Sequence, residues 1–385
     1  MKILFWGWEC PPNRGGIGVY MMTMAEALAA AGHAIQFVTG RAPGAPSEED
    51  AGGVHIRRCY DRSDIRSRRL AETVCAIARE MSADWIEGAD HLGECAPLLA
   101  LRRRPPVVIK AHGPQCLWVA QRAQIHYPWQ TLTLGGALLK IVPQLIAEWR
   151  SLERADALMA PGPAMLGWLR GQGVRLPARH GVVPNPVRPA PPADAAETAP
   201  EPTLLMAGRL AFMKGIAHVA PILARVAAAC PSVRLEIAGA DSSARGVGSL
   251  TEWLHGELER IGMLSRVRFL GRLNEAELDA AYRRAWVLMH PTRWESFGNV
   301  IVEAMVRARP VVAGRVGDVP ELLADTGSVA ADPRGTEFSE ALIRLLTDAD
   351  ARTKAGRRGR EKALREFHPA VVAARYLKFL TGDGP

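Results

Sequence analysis

At 385 residues the chain exceeds what one hydrophobic core fills, since single cores stop growing at about 250–300 residues, so two domains are expected. Hydrophobic residues at 48% and charged residues at 23% exclude a disordered or fibrous chain. The net charge of +8 is uneven: residues 1–188 hold 22 Lys and Arg against 16 Asp and Glu, with clusters at Arg57 and Arg58, at Arg62, Arg66, Arg68 and Arg69, and at Arg102, Arg103 and Arg104. Such clusters suit anionic lipid or phosphate, or are a solvated arginine-rich surface. A nucleic-acid partner is not expected, because no aromatic residues interleave them on a recognisable module.

Lys2–Trp6 reads as a strand, without the basic, apolar and small-residue regions of a signal peptide. A loop through Pro11, Pro12, Asn13, Arg14, Gly15 and Gly16 follows, then a helix with Val19, Met22 and Leu28 on one face, then a strand at 35–38. Further strands are read at 85–86, 107–110, 157–159 and 182–183, separated by helix-length segments. The most apolar long stretch, 132–149, is interrupted by Gly135, Gly136, Lys140 and Pro143, short of the roughly 20 apolar residues of a spanning helix. Between 184 and 202 the composition turns to Pro and Ala, which suits a semi-stiff linker. A second series of strands follows at 204–207, 234–238, 268–270, 287–290 and 310–313. Strict alternation of strands and helices gives parallel, doubly wound sheets. The expected division is a Rossmann-like domain over 1–186, with a C-terminal helix at about 368–385 packing back onto it, a linker over 187–202, and a second Rossmann-like domain over 203–367. The six cysteines, Cys10, Cys59, Cys75, Cys95, Cys116 and Cys230, form no C-x-x-C pair or zinc-ligand cluster and read as buried thiols in a reducing compartment. The expected location is the cytoplasm, with a peripheral contact of the basic domain on the inner membrane face.

The densest chemical signal follows the strand ending at His290: Pro291, Thr292, Arg293, Trp294, Glu295, Ser296, Phe297, Gly298, Asn299, Val300 and, within the next helix, Glu303. That helix should begin near Gly298 or Asn299, and the free N–H groups of a helix N-terminus seat a phosphate or a sugar hydroxyl. Glu295 stands before the terminus and Glu303 about one turn inside, so the two carboxylates can bracket one ligand. Upstream, Gly208-Arg209-Leu210 and Lys214-Gly215 put two cations just after the first strand of the second domain, the end of an α/β sheet where ligands bind. In the first domain Gly15, Gly16 and Gly18 open a helix after the first strand. The spacing is not that of a G-x-G-x-x-G dinucleotide turn, and no acidic residue ends the second strand. His112 follows the strand at 107–110 and precedes Gly113; a lone histidine there is either structural or at a ligand.

Together these segments resemble glycosyltransferase family four, the former group 1 transferases of the GT-B fold, in which two Rossmann-like doubly wound domains face a central cleft. The resemblance rests on Glu295-x7-Glu303, on Gly208-Arg209-Leu210 with Lys214-Gly215, on the Pro-x-x-Gly-Gly loop reaching Gly32-His33, on His112, and on Val183-Pro184-Asn185. It implies an acceptor-binding first domain and a donor-binding second one. Glu295 would bind donor-sugar hydroxyls, Glu303 the ribose, and Arg209 and Lys214 the diphosphate, with His112 against the sugar near its reacting carbon. Gly15, Gly16, Ser296, Phe297, Gly298, Asn299 and Val300 would line the donor. Pro186 and Arg309 stand where Gly is usual, Gly317-Asp318 stands for Gly-Gly, and Arg293-Trp294 also departs from the common pattern.

The resemblance implies transfer of a hexosyl-type sugar from a UDP- or GDP-linked donor to a hydroxyl of a glycan or lipid-linked acceptor. Without an Asp or Glu assignable as nucleophile, a same-face substitution with retention is expected. No cofactor and no metal are expected, because fixed cations can neutralise the leaving diphosphate and no Asp-x-Asp motif accompanies them. A nucleotide-sugar 2-epimerase of the same fold and a non-catalytic binding protein are the alternatives; an epimerase would need no acceptor.

Overall fold

The structure, a computed structural model, describes residues 1–10, 15–114, 135–194, 197–244 and 246–382. Pro11, Pro12, Asn13, Arg14 and Cys116, and positions 132–134 of the apolar stretch, lie outside the described residues. The chain divides into two compact units, Met1–Pro186 with His368–Pro385, and Val187–Phe367.

The first unit is built on an eight-stranded sheet: β1 (Lys2–Trp6), β2 (Ala34–Gly40), β3 (Glu48–Ala51), β4 (Val54–Tyr60), β5 (Trp85–Ala89), β6 (Val107–Lys110), β7 (Ala157–Ala160) and β8 (Arg179–Val182), in the order β3-β4-β2-β1-β5-β6-β7-β8. All neighbours are parallel except β3 with β4. The inner strands are covered on both faces, so they read as continuous apolar runs such as Ile3-Leu4-Phe5-Trp6, all buried. The acidic β3 and the half-polar β4 give no such signal. They pair through polar side chains, Glu48 with Arg57 at 2.9 Å and Asp50 with His55 at 2.9 Å, and the buried Arg58 meets Glu49 at 2.6 Å. Arg57 also meets Glu80, Arg68 meets Glu72 and Arg104 meets Asp156, so several arginines of the sequence clusters carry a local counter-charge.

The C-terminal helix Pro369–Thr381 belongs to this unit. Its Val372, Ala373, Tyr376 and Leu380 share one core with Ile3, Phe5 and Phe37 and with Tyr20, Met21, Met24 and Leu28 of the first helix, Gly16–Ala30. Each fully buried aliphatic side chain contributes about 1.5–3 kcal/mol, so this helix holds several kcal/mol of the unit's stability.

The second unit carries β9 (Thr203–Ala207), β10 (Arg234–Ala238), the short antiparallel pair β11 (Ser243–Ala244) and β12 (Gly248–Ser249), β13 (Val267–Gly271), β14 (Val287–His290), β15 (Val311–Gly314) and β16 (Val329–Ala331). Its main sheet runs β13-β10-β9-β14-β15-β16, all parallel. Phe212–Ala229 has a mean hydropathy of 1.3 over 18 residues. It contains a tight turn at Phe212–Lys214 and then the helix Ile216–Ala229, whose Ile216, Val219, Ile222, Leu223 and Val226 form the core of this unit.

The Pro/Ala-rich segment over 187–202 is not a free linker. Val187 is buried and its N–H donates to Phe367 O, Ala193 donates to Arg307 O, and Ala199 donates to Arg284 O and accepts from the Trp286 indole. Arg309 is buried and donates to Thr198 Oγ1 at 2.8 Å and to Arg283 O. These bonds tie the described residues of the segment to the second unit, and the composition misled because Pro and Ala suit a bonded connection as well as a spacer.

Candidate active site

In the second unit β14 ends at His290 and the loop from Pro291 leads to the helix Asn299–Val306, which Gly298 caps at φ 99°. A residue with a Cβ would be strained at that left-handed angle, so glycine lets the chain turn sharply from loop to helix. The turn brings Glu295 under the sheet end. There its Oε2 accepts from Lys214 Nζ at 2.7 Å and from His290 Nε2 at 2.8 Å. Burial works against the ionised carboxyl, but the Lys214 charge and the His290 bond outweigh it and hold Glu295 down to about 2. His290 is itself pushed down by burial, with Glu295 only partly offsetting this, and its Nε2–H donates a hydrogen bond to the carboxylate.

Lys214 is delivered by the loop after β9. Gly215 follows it at φ 82°, and a side chain there would bring its Cβ to 1.8 Å from Pro291 O. Glycine at this point lets the two loops interlock, and Arg293 N–H donates to Met213 O at 2.9 Å to fasten them. Arg209 lies on the same loop as Lys214 and is exposed. Asp318 is buried at the start of the short helix Val319–Leu323, and Gly317 beside it packs against Glu295 O.

Glu303 sits one turn into the helix, where Tyr282 Oη donates to it at 2.8 Å; burial raises its pKa while Tyr282 works the other way. The Arg307 guanidinium lies 4.9 Å from the centre of the Tyr282 ring and bonds Asp279 at 2.7 Å. Ser296, Asn299 and Val300 are half-buried around the helix start. Phe297 is different: its side chain is buried against Phe367, ring centres 5.5 Å apart, so it can serve a ligand only through its backbone.

In the first unit, Gly15 and Gly16 begin the first helix, but the free N–H of Gly18 already donates to Glu9 Oε2 at 3.0 Å. The anion at this helix N-terminus is therefore a side chain of the protein. His112 lies just past β6. Its ring meets Tyr20 edge-on with centroids 4.7 Å apart, its Nε2 is buried without a partner, and Asp90 accepts from Gly113 N–H at 3.0 Å, fixing the turn.

The structure thus brings Glu295 and Lys214 together, sets Glu303 on the following helix, and places Arg209 on the Lys214 loop. His290, Tyr282, Asp90 and Glu9 escape the sequence reading. For His290 the available signal is its position, last in a strand and five residues before Glu295.

Two doubly wound parallel sheets, with a glutamate-bearing loop and helix start at the end of the second, define the architecture of a GT-B glycosyltransferase. The description "Glycosyltransferase Family 4" matches residues 14–190 and "Glycosyl transferases group 1" matches residues 190–362. The chain is 30% identical over 316 residues to alpha-maltose-1-phosphate synthase of Mycolicibacterium smegmatis, covering 75% of this chain and 76% of that protein. It is 26% identical over 404 residues, 97% of each chain, to the GDP-mannose-dependent alpha-(1-6)-phosphatidylinositol monomannoside mannosyltransferase of Mycobacterium tuberculosis. The solved structure of sucrose-phosphate synthase from Thermosynechococcus elongatus superposes with a TM-score of 0.81 at 22% identity, covering 99% of this chain and 98% of that one. The chain belongs to the group 1 glycosyltransferases of family four, and its activity is glycosyl transfer.

Proposed function

We propose that the protein moves a hexosyl group from a UDP- or GDP-linked sugar to a hydroxyl of a glycan or lipid-linked acceptor, with retention and without a metal. The observation that carries this reading is the fixing of Glu295 by Lys214 and His290 at the start of the helix Asn299–Val306. An ionised carboxylate held rigid at a helix N-terminus is suited to accept sugar hydroxyls while the neighbouring N–H groups face phosphate. The Lys214 ammonium has three N–H donors and uses one on Glu295, so it can bridge sugar site and diphosphate. Arg209 on the same loop adds the second cation, and both meet negative charge that grows as the glycosidic bond breaks. Glu303, oriented by Tyr282, takes the ribose. The departing phosphate oxygen takes the proton of the incoming hydroxyl on the same face of the sugar, which retains configuration, and the role assigned to His112 on the resemblance is contact with the sugar. The relatives, a mannosyltransferase and a maltose-1-phosphate synthase, support transfer over epimerisation.

The test is incubation with UDP- and GDP-linked hexoses, each with lipid-linked, oligosaccharide and free phosphorylated acceptors, in the presence and absence of EDTA. Product with a lipid or glycan acceptor in EDTA, in the anomeric form of the donor, is the expected result. Activity restored only by manganese or magnesium would overturn the metal-free reading, and inversion would overturn the same-face step.

For location we propose the cytoplasm, with the first unit touching an anionic bilayer. The helix Gly135–Arg154 exposes Val142 and Ile146 ahead of Arg150 and Arg154, and a hollow of 450 Å³ beside its end is lined by Arg150, Glu153, Arg154, Arg175 and Leu176. Exposed apolar side chains followed by arginines suit an anionic lipid surface. Co-sedimentation with phosphatidylglycerol vesicles at low salt, abolished at high salt, is expected; no binding at low salt would leave a soluble acceptor.

A further inference from the structure

Beneath His112 lies a buried polar group that the donor site does not use. Lys110 ends β6, two residues before His112, and is fully buried. Its ammonium donates to Val183 O and lies 4.7 Å from the centre of the Tyr20 ring, the same ring that the His112 imidazole meets edge-on at 4.7 Å. Tyr20 therefore fills the space between a buried cation and the histidine. Glu87 on the adjacent β5 is also fully buried and acts on Lys110, on Tyr20 and on Tyr376 of the C-terminal helix. The Tyr20 and Tyr376 hydroxyls face the Glu87 carboxyl inside the core, and among the described residues none of the three bonds to a group outside the cluster. A lysine and a glutamate buried in one core are no more stable than apolar residues of the same volume. Stability does not explain the cluster, whereas its column of contacts leads to His112.

We propose that Tyr20, clamped between Lys110 and His112 and backed by Glu87 and Tyr376, is a positioning residue that fixes the His112 imidazole in a single orientation. The proposal rests on the reading of His112 as a group against the sugar. The charges around the cluster act in the same sense. Burial and then the Lys110 charge push His112 well below its ordinary value. Lys110 itself is lowered by burial to about 7, with Glu87 on β5 and Asp90 after it pulling the other way. Burial raises Glu87 to about 7, against Tyr376, Lys110 and Tyr20, and burial with the Glu148 charge raises Asp90 to about 7. A cation kept beside an imidazole makes protonation of that imidazole unfavourable, so the cluster sets both where His112 points and that it stays a neutral partner.

The experiment follows the His112 ring in the full-length protein by nitrogen-proton NMR across pH, alongside kcat and donor affinity. Tyr20→Phe keeps the ring and should leave kcat within about threefold, whereas Tyr20→Leu should lower kcat by about 10- to 100-fold with donor affinity unchanged. The double change Lys110→Met with Glu87→Gln, which leaves no lone buried charge, should raise the His112 titration point toward 6.5. Unchanged kcat in Tyr20→Leu, or an unmoved His112 titration in the double variant, would overturn the proposal. If Tyr20→Leu does not fold, Tyr20→Met, which keeps more of the buried volume, takes its place with the same expected loss of kcat and the same overturning result. His112→Ala serves as the separate control: full activity there removes His112 from the chemistry, while the titration shift still reports whether the cluster governs the ring.

Discussion

The ammonium of Lys214 lies 2.7 Å from Oε2 of Glu295, across 81 residues of sequence, and this contact couples the loop after β9 to the loop after β14. Lys214→Met should lower kcat by about 10² or more, because the charge that Lys214 faces grows during the reaction. Stability should respond as well. Glu295 has its pKa depressed to about 2, so its contribution is present above the unfolded value near 4.5 and is lost as pH falls toward 2. The denaturation gap between wild type and Lys214→Met, on the order of 1–3 kcal/mol at pH 7, should narrow as pH falls below 4.5 and close only near 2. A gap independent of pH would mean that the ion pair is not its source.

Glu303→Ala should chiefly raise the donor KM, since a ribose hydroxyl is held alike before and during reaction. Tyr282→Phe removes the hydroxyl that orients Glu303 at 2.8 Å and should raise the same KM less, by roughly 3- to 10-fold, with kcat kept. A large loss of kcat with donor affinity intact would contradict the ribose role.

Glu9→Ala vacates the N-terminus of the first helix, where Gly18 N–H now donates to the Glu9 carboxylate. If a donor phosphate approaches Gly15 and Gly16, removal of this competing anion should tighten donor binding a few-fold. Calorimetric titration with the nucleotide sugar reads this directly, and an unchanged affinity removes the glycine turn from the donor site.

Gly215→Ala should be severe for one methyl group. The φ of 82° costs about 1–2 kcal/mol for an alanine, and its Cβ would collide with Pro291 O. Both Tm and kcat should drop together, because the collision separates the two loops that hold Lys214 and Glu295. A variant with wild-type Tm would show that these loops have room to part.

What was legible in the sequence follows from the range of the forces involved. The strand ending at Trp6 and the strand Val287–His290 are buried on both faces, so their apolar runs are local and visible. Glu295 and Glu303 stand on one loop-helix turn, and their spacing is local too. β3 was hidden because Glu48 and Asp50 gain their place from Arg57 and His55 on the partner strand, a relationship that exists only once register is set. The 187–202 segment read as a spacer because nothing local announces that Val187 bonds Phe367. Phe297 lay within the motif run, yet burial against Phe367, seventy residues on, takes its side chain away from any ligand.

The C-terminal helix has a consequence for biosynthesis. The ribosome makes every residue of Val187–Phe367 before Val372, Tyr376 and Leu380, so the first unit lacks one wall of its core until the chain beyond Phe367 has emerged. Until then the apolar side of the first helix, with Met21, Met24 and Leu28, stays wet and open to chaperones. A nascent chain stalled before that helix therefore carries an amino-terminal unit with its core open, and synthesis through Leu380 is what closes it.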